Sequence, residues 1–146
     1  MSLLSDADRR KVSELFGTMV NPVRLVLFTQ SLGCESCTLA RQILDELVSL
    51  SDKLTLEEVN LVLDKDKAAP YGVDRVPAIA VMGAGDPGIR FYGAPSGYEF
   101  TSLLDAILLV SGAEHGLGAD GLSEDTLARV AAIDEPVDIQ VFVTPT

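Results

Sequence analysis

The chain has 146 residues, 47% of them apolar and 23% charged, with two cysteines, one histidine and no tryptophan. That length suits one domain, or one domain and part of another, and a chain of this size buries about two thirds of its unfolded surface without disulfide staples. A net charge of −11 argues against nucleic acid and anionic membranes as partners, since both recruit basic patches, and no apolar run reaches the roughly 18 residues of a membrane span.

In chain order, residues 5–20 read as an amphipathic helix. Ser5 or Asp6 can cap it, and Val12, Leu15, Phe16 and Met19 recur at helical spacing before Asn21 and Pro22 stop it. The apolar run 23–28 predicts a buried strand, ended by the polar turn 29–33. A helix over 35–50 follows, with Leu39, Ile43, Leu47 and Leu50 on one stripe. Residues 54–62 form a second strand, and the crossover between the two makes them parallel. A short helix over 64–71 ends at Gly72. The third strand, 75–82, carries Pro77 near its entrance, where proline is tolerated. A turn at 84–88 leads into a fourth strand, 89–92, as an antiparallel hairpin. Residues 93–97 break the chain, and Ser96 with Glu99 reads as a capping box for a helix carrying Phe100, Leu103, Leu104, Ile107 and Leu108 up to Gly112. A Gly-rich loop spans 113–121. Ser123 then caps a last helix, with Leu127, Val130, Ala131 and Ile133 expected inward.

Residues 135–142, Glu-Pro-Val-Asp-Ile-Gln-Val-Phe, align without a gap with 21–28, Asn-Pro-Val-Arg-Leu-Val-Leu-Phe. Pro, Val and Phe match in register. The sequence therefore predicts one unit over 1–134 and, over 135–146, the first strand of a second unit, whose counterpart of Cys34 would fall just past Thr146. Val137, Ile139, Val141 and Val143 give this strand an aliphatic face. An unpaired strand is a template for pairing, so it is expected to dock on the 54–62 or 89–92 edge of its own sheet or of a second copy, the latter giving a homodimer.

The two cysteines, Cys34 and Cys37, sit where a strand hands over to a helix. First-turn amides have no partners within a helix, and the helix dipole is positive there, so a thiolate is stabilised and its pKa falls. Glu35 pushes the other way. A spacing of three lets one sulfur reach the other, and a CxxC between strand and helix is a redox signature. Three other readings compete. A structural zinc site wants four ligands, and this chain offers two cysteines and His115 in a distant loop, so a metal would have to bridge subunits or take carboxylates; His115 itself reads as a surface residue. A unit that binds extended peptide without turnover is the second. A purely structural disulfide is the third, but closing so small a loop adds little by chain entropy. Exchange chemistry accounts best for the pair. No nucleotide fingerprint is present, so no cofactor is expected and electrons must come from a partner reductase.

The strand–Cys34-Glu-Ser-Cys37–helix, the Val76-Pro77 pair, the stretch Gly93-Ala-Pro-Ser-Gly-Tyr-Glu-Phe100 and the restarted strand ending at Thr146 together resemble the protein disulfide oxidoreductases, glutaredoxin-like proteins of two fused thioredoxin-fold units. The resemblance implies a three-layer α/β/α fold with a four-stranded mixed sheet, here with an added N-terminal helix. It implies that Cys34 is the exposed nucleophile and Cys37 the resolving thiol. It also implies that Pro77 is cis and that Val76 offers its backbone to a substrate chain, with protein dithiols and disulfides as partners. The 93–100 stretch is also similar to the N-terminal domain of the flavoprotein subunit of alkyl hydroperoxide reductase, whose first unit lacks a CxxC; Cys34 and Cys37 favour the disulfide oxidoreductase. Two departures stand out. Phe28 occupies the place of the buried acid of thioredoxins, and the Gly-Gly with which glutaredoxins hold glutathione has no match. The N-terminus lacks a basic stretch followed by an apolar one, so no signal peptide is read and a cytoplasmic location is expected.

Overall fold

The computed structural model describes residues 3–113 and 122–144; His115, with the rest of the Gly-rich loop from 114 to 121, lies outside the described residues. Strand β1 (Val23–Thr29) is the centre of the fold, buried at every position but Arg24. It runs parallel to β2 (Leu54–Asn60), with Leu25 opposite Leu56 and Thr29 opposite Asn60. On its other side it runs antiparallel to β3 (Ala78–Met82), with Phe28 opposite Ala78. Strand β4 (Arg90–Tyr92) completes the hairpin, giving the order β2-β1-β3-β4. A strand with neighbours on both edges and layers on both faces must be apolar throughout, which is why 23–28 reads as a continuous run.

The period-2 alternation then sorts the side chains into two cores. Leu25 and Leu27, with Ile79 and Val81, pack against α2 (Glu35–Val48) and α4 (Tyr98–Ser111) through Leu44, Leu47, Leu103 and Ile107, and α1 (Asp6–Phe16) adds Val12 and Phe16. Val26 and Phe28, with Ala80 and Met82, face Ala68 of α3 (Lys65–Ala68) and Tyr71 of the 3-10 turn Ala69–Tyr71. The three layers and the mixed four-stranded sheet are those the sequence predicts.

Several local expectations are corrected. Helix α1 stops at Phe16, because the chain turns at Gly17, whose N–H bonds the Ser13 and Glu14 carbonyls. Met19 is buried from the turn and not from the helix, and Leu15 is exposed. On α2 the buried stripe is Cys37, Ala40, Ile43, Leu44 and Leu47, so Leu39 lies on its flank. Helix α4 begins after Gly97, which is in a positive-φ turn (φ 62°) with no side-chain cap; Ser96 falls before that turn and the Ser96–Glu99 box does not form. Ser123 does cap α5 (Glu124–Ala131), its Oγ accepting from the Thr126 N–H. Leu127, Val130, Ala131 and Ile133 are nonetheless exposed, and α5 contributes to neither core cluster. Residues 136–144 form no strand and are not part of the sheet, with Ile139 and Phe142 largely in water. Docking on an edge of the chain's own sheet is therefore not observed; a lone strand gains little until another layer covers its apolar face.

Arg90 ties β4 to the 3-10 turn. Its Nε donates to the Tyr71 carbonyl at 3.1 Å, and its Nη1 donates to Asp86 Oδ1 at 2.9 Å. That hydrogen bond holds the Asp86 carboxyl below the usual carboxylate range. A depressed folded-state pKa contributes stability above the unfolded value, about 3.9, and loses it as pH falls through the folded value. Asp86→Asn is expected to lower stability in urea by about 0.2–1 kcal/mol at neutral pH, the range of exposed pairs. The gap to wild type should close as pH is taken below the carboxylate range.

Candidate active site

The site forms where β1 ends. The Thr29 hydroxyl donates to Glu58 at 2.8 Å, and the Thr29 carbonyl accepts from the Leu61 N–H at 2.8 Å. Gln30 Nε2 bonds the Leu32 carbonyl at 2.7 Å. Gly33, at φ 72°, then turns the chain through a region that side chains disfavour. Cys34 follows as the N-cap of α2. Its sulfur is bonded to that of Cys37, with the two Cα atoms 5.4 Å apart.

The two sulfurs differ in environment. Cys34 is half-buried, at the start of the helix, whereas Cys37 is 7% exposed and lies on the buried stripe one turn on. The helix start favours a thiolate at Cys34 on reduction. Glu35 is the only acid in the first turn, and Arg41, one turn further, is already paired with Asp45 and Glu58. After reduction, limiting iodoacetamide is therefore expected to alkylate Cys34 before Cys37. Peptide mass spectrometry reads the order, and faster labelling of Cys37 would reverse the assignment.

The Val76-Pro77 bond is cis. Pro77 is buried, Val76 half-buried, and the Pro77 carbonyl accepts from the Gly93 N–H at 2.9 Å. Because Ala78 opposes Phe28, the register brings Val76 and Pro77 beside the end of β1, the same end of the sheet that leads to Cys34. All four sequence-predicted site residues thus come to one end of the sheet. Phe28 is fully buried in the core at that end, its ring 5.1 Å from that of Tyr71 in an edge-on arrangement. One residue escaped the sequence reading. Asn60 Nδ2 donates to Ser31 Oγ at 3.4 Å, joining the loop after β2 to the loop before Cys34. An asparagine closing a strand is a turn signal, but its partner is not visible in sequence. Among the described residues no three His, Cys, Asp or Glu side chains are grouped to hold a metal, and no helix is long and apolar enough to cross a membrane.

A parallel β-α-β unit with a two-cysteine disulfide at its first junction, completed by a hairpin entered through a cis proline, defines a thioredoxin-fold thiol–disulfide oxidoreductase. No protein-family model matches the chain. It is 37% identical over 87 residues to a probable thioredoxin of Methanothermobacter marburgensis, covering 58% of this chain and 96% of that protein. It is similar in structure to a protein disulfide oxidoreductase from Aeropyrum pernix (TM-score 0.72, 28% identity, 88% of this chain and 54% of the other). It is also similar to the N-terminal domain of alkylhydroperoxide reductase from Enterococcus faecalis (TM-score 0.69, 29% identity, 74% and 53%). The chain spans about half the length of these two solved proteins. The chain belongs to the thioredoxin family, and its reaction class is thiol–disulfide exchange.

Proposed function

We propose that the chain exchanges disulfides with protein substrates, with Cys34 as nucleophile and Cys37 as resolving thiol. The observation that carries this reading is the unequal burial of two bonded sulfurs at a helix start. The reduced Cys34 thiolate attacks one sulfur of a substrate disulfide. A Cys34–substrate bond forms as the substrate bond breaks, and the released sulfur takes a proton from water. The Cys37 thiolate then attacks Cys34 Sγ, and the second substrate sulfur leaves and is protonated. The substrate gains two electrons and two protons, and the pair is left as the Cys34–Cys37 disulfide; the reverse sequence oxidises dithiols, and relative potential sets the direction. Val76 presents its backbone to the substrate chain and Pro77 backs it. A partner reductase supplies electrons, no cofactor is needed beyond the cysteine pair, and the location is cytoplasmic.

The in-register match of 135–142 to 21–28, together with the similarity to the alkylhydroperoxide reductase domain, supports a wider reading. The chain acts as one unit, 1–134, of a larger redox protein, and 135–146 opens a second unit or docks on the 54–62 or 89–92 edge of a second copy. The test of the activity is insulin reduction by dithiothreitol. A catalytic amount of the chain is expected to hasten precipitation of the insulin B chain. No acceleration, with extended peptide still bound, would replace exchange by a redox-inactive peptide-binding role.

A further inference from the structure

The resolving step needs Cys37 as a thiolate, yet Cys37 is 7% exposed, on the face of α2 turned to the sheet. A buried thiol resists ionisation unless an acceptor stands near it. The same face of the sheet carries a linked group of polar side chains. Leu25 and Leu27 of β1 face α2, so Thr29, two residues on, faces it as well. On β2, Leu56 packs against the same core, and Glu58, two residues on and opposite Leu27, shares its face. The buried Thr29 hydroxyl donates to Glu58 Oε1 at 2.8 Å. Arg41 of α2 bonds the other carboxylate oxygen, Oε2, through Nη1, while its Nε donates to Asp45 Oδ2 at 3.0 Å.

This network fixes what lies under Cys37. Arg41 is one helical turn after Cys37 on α2, and Glu58 is level with Leu27, two residues before Thr29 on β1. One turn of helix is about 5.4 Å long, and two strand residues span about 6.6 Å. Helix α2 runs back over the sheet from the Cys34 end. With Arg41 held to Glu58, Cys37 therefore stands over the level of Thr29. We propose that Glu58, acting through the Thr29 hydroxyl, takes the proton of Cys37 in the resolving step. The inference rests on the exchange reading above. The proton on Cys37 Sγ passes to Thr29 Oγ1 as the Thr29 proton passes to Glu58 Oε1; a hydroxyl that donates keeps lone pairs with which to accept. The electron pair freed on Cys37 forms the bond to Cys34 Sγ, and the pair of the broken mixed disulfide leaves on the substrate sulfur. Glu58 becomes a neutral acid, and its side chain is 40% exposed, so it returns the proton to water. Arg41 is a positioning residue, holding one carboxylate oxygen so that the other meets Thr29.

The test separates the two steps. Reduced protein is mixed rapidly with dithiobis(nitrobenzoate), which releases one coloured thiolate when Cys34 attacks and a second when Cys37 resolves the adduct. Wild type is compared with Thr29→Val, which keeps the side-chain shape without the hydroxyl, with Glu58→Gln, and with Thr29→Ser, which restores a hydroxyl. The first release is expected to keep its rate in all four. The second is expected to slow about a hundredfold in Thr29→Val and in Glu58→Gln, the low end of a general base's contribution, and to recover in Thr29→Ser. Both losses should shrink as pH rises past the ordinary thiol value of about 8.5, where Cys37 ionises without an acceptor. The other charged groups around the network, Arg41 and Asp45 on α2, Glu35 in its first turn and Asp64 after β2, are common to all four proteins, so that difference reports Cys37. An unchanged second release in either variant overturns the relay. So does a loss that is equal at every pH or shared by the first release, which would mark a structural role. A wild type that releases no coloured thiolate overturns the exchange reading itself, and the relay with it.

Discussion

Replacing Cys34 by serine is expected to abolish insulin reduction, down to the rate of dithiothreitol alone, whereas replacing Cys37 by serine leaves one half-turnover that stops at a mixed disulfide. A serine hydroxyl is not ionised at neutral pH and cannot form the sulfur–sulfur bond that carries the electrons, so nothing in the first variant attacks the substrate. In the Cys37→Ser variant the half-exposed Cys34 still attacks, but no second thiol displaces the substrate. The adduct accumulates, is seen as a mass increase of one substrate chain, and disappears on adding reductant. Both variants should fold. The disulfide closes a loop too short to add much stability, and Cys37 is one small side chain on the α2 stripe, so circular dichroism should match wild type. An adduct on Cys37 in the Cys34→Ser protein, with none in the reverse variant, would exchange the two roles.

What the sequence made legible here is local. The continuous run of β1, the crossover through α2, the proline before β3 and the CxxC at a helix start each depend on a few neighbouring residues, and the fold class follows from their order. The corrections involve choices made at a distance or by a single turn. Leu39 and Ile43 share a plausible helical stripe, but the sheet decides which stripe is buried and selects the one through Cys37 and Leu44. Ser96 and Glu99 have the spacing of a capping box, yet the turn at Gly97 excludes Ser96 from the helix. Helix α5 and the 136–144 segment have the right periodicities, but neither joins the two cores or the sheet, and their apolar sides remain in water. Asn60 matters because of Ser31, far away in sequence and adjacent only through β1–β2 pairing. Cys34 and Cys37 were readable from their motif. That they share one end of the sheet with Val76 and Pro77 comes from the Phe28–Ala78 register, a sheet property.

Phe28→Ala is expected to cost about 3–5 kcal/mol, a loss that only a carboxylate at the same position would exceed. Phe28 has the greatest volume among the fully buried side chains. Its face of the sheet is built from short neighbours, Ala68, Ala78 and Ala80, with Val26, Val59 and Met82. Ala78 and Ala80, held by strand pairing, cannot move in to fill the space a ring leaves, so the cavity persists and the loss falls toward the upper end of that range. The edge-on contact with Tyr71 is lost as well. Against a typical total stability of about 5–15 kcal/mol, the variant stays folded with a narrow margin, and urea unfolding of the oxidised protein should show a midpoint well below wild type. Phe28→Leu keeps most of the volume and should recover most of the loss. Phe28→Asp restores a carboxyl at the place thioredoxins keep one, but sets it among apolar side chains. Burial would raise its pKa, and ionising it would favour unfolding. That variant should be the least stable of the three and should lose further stability as pH rises. A Phe28→Ala loss below about 1 kcal/mol would mean that the Phe28 face of β1 is not packed as described, and that the register bringing Pro77 beside Thr29 is held by the opposite face alone.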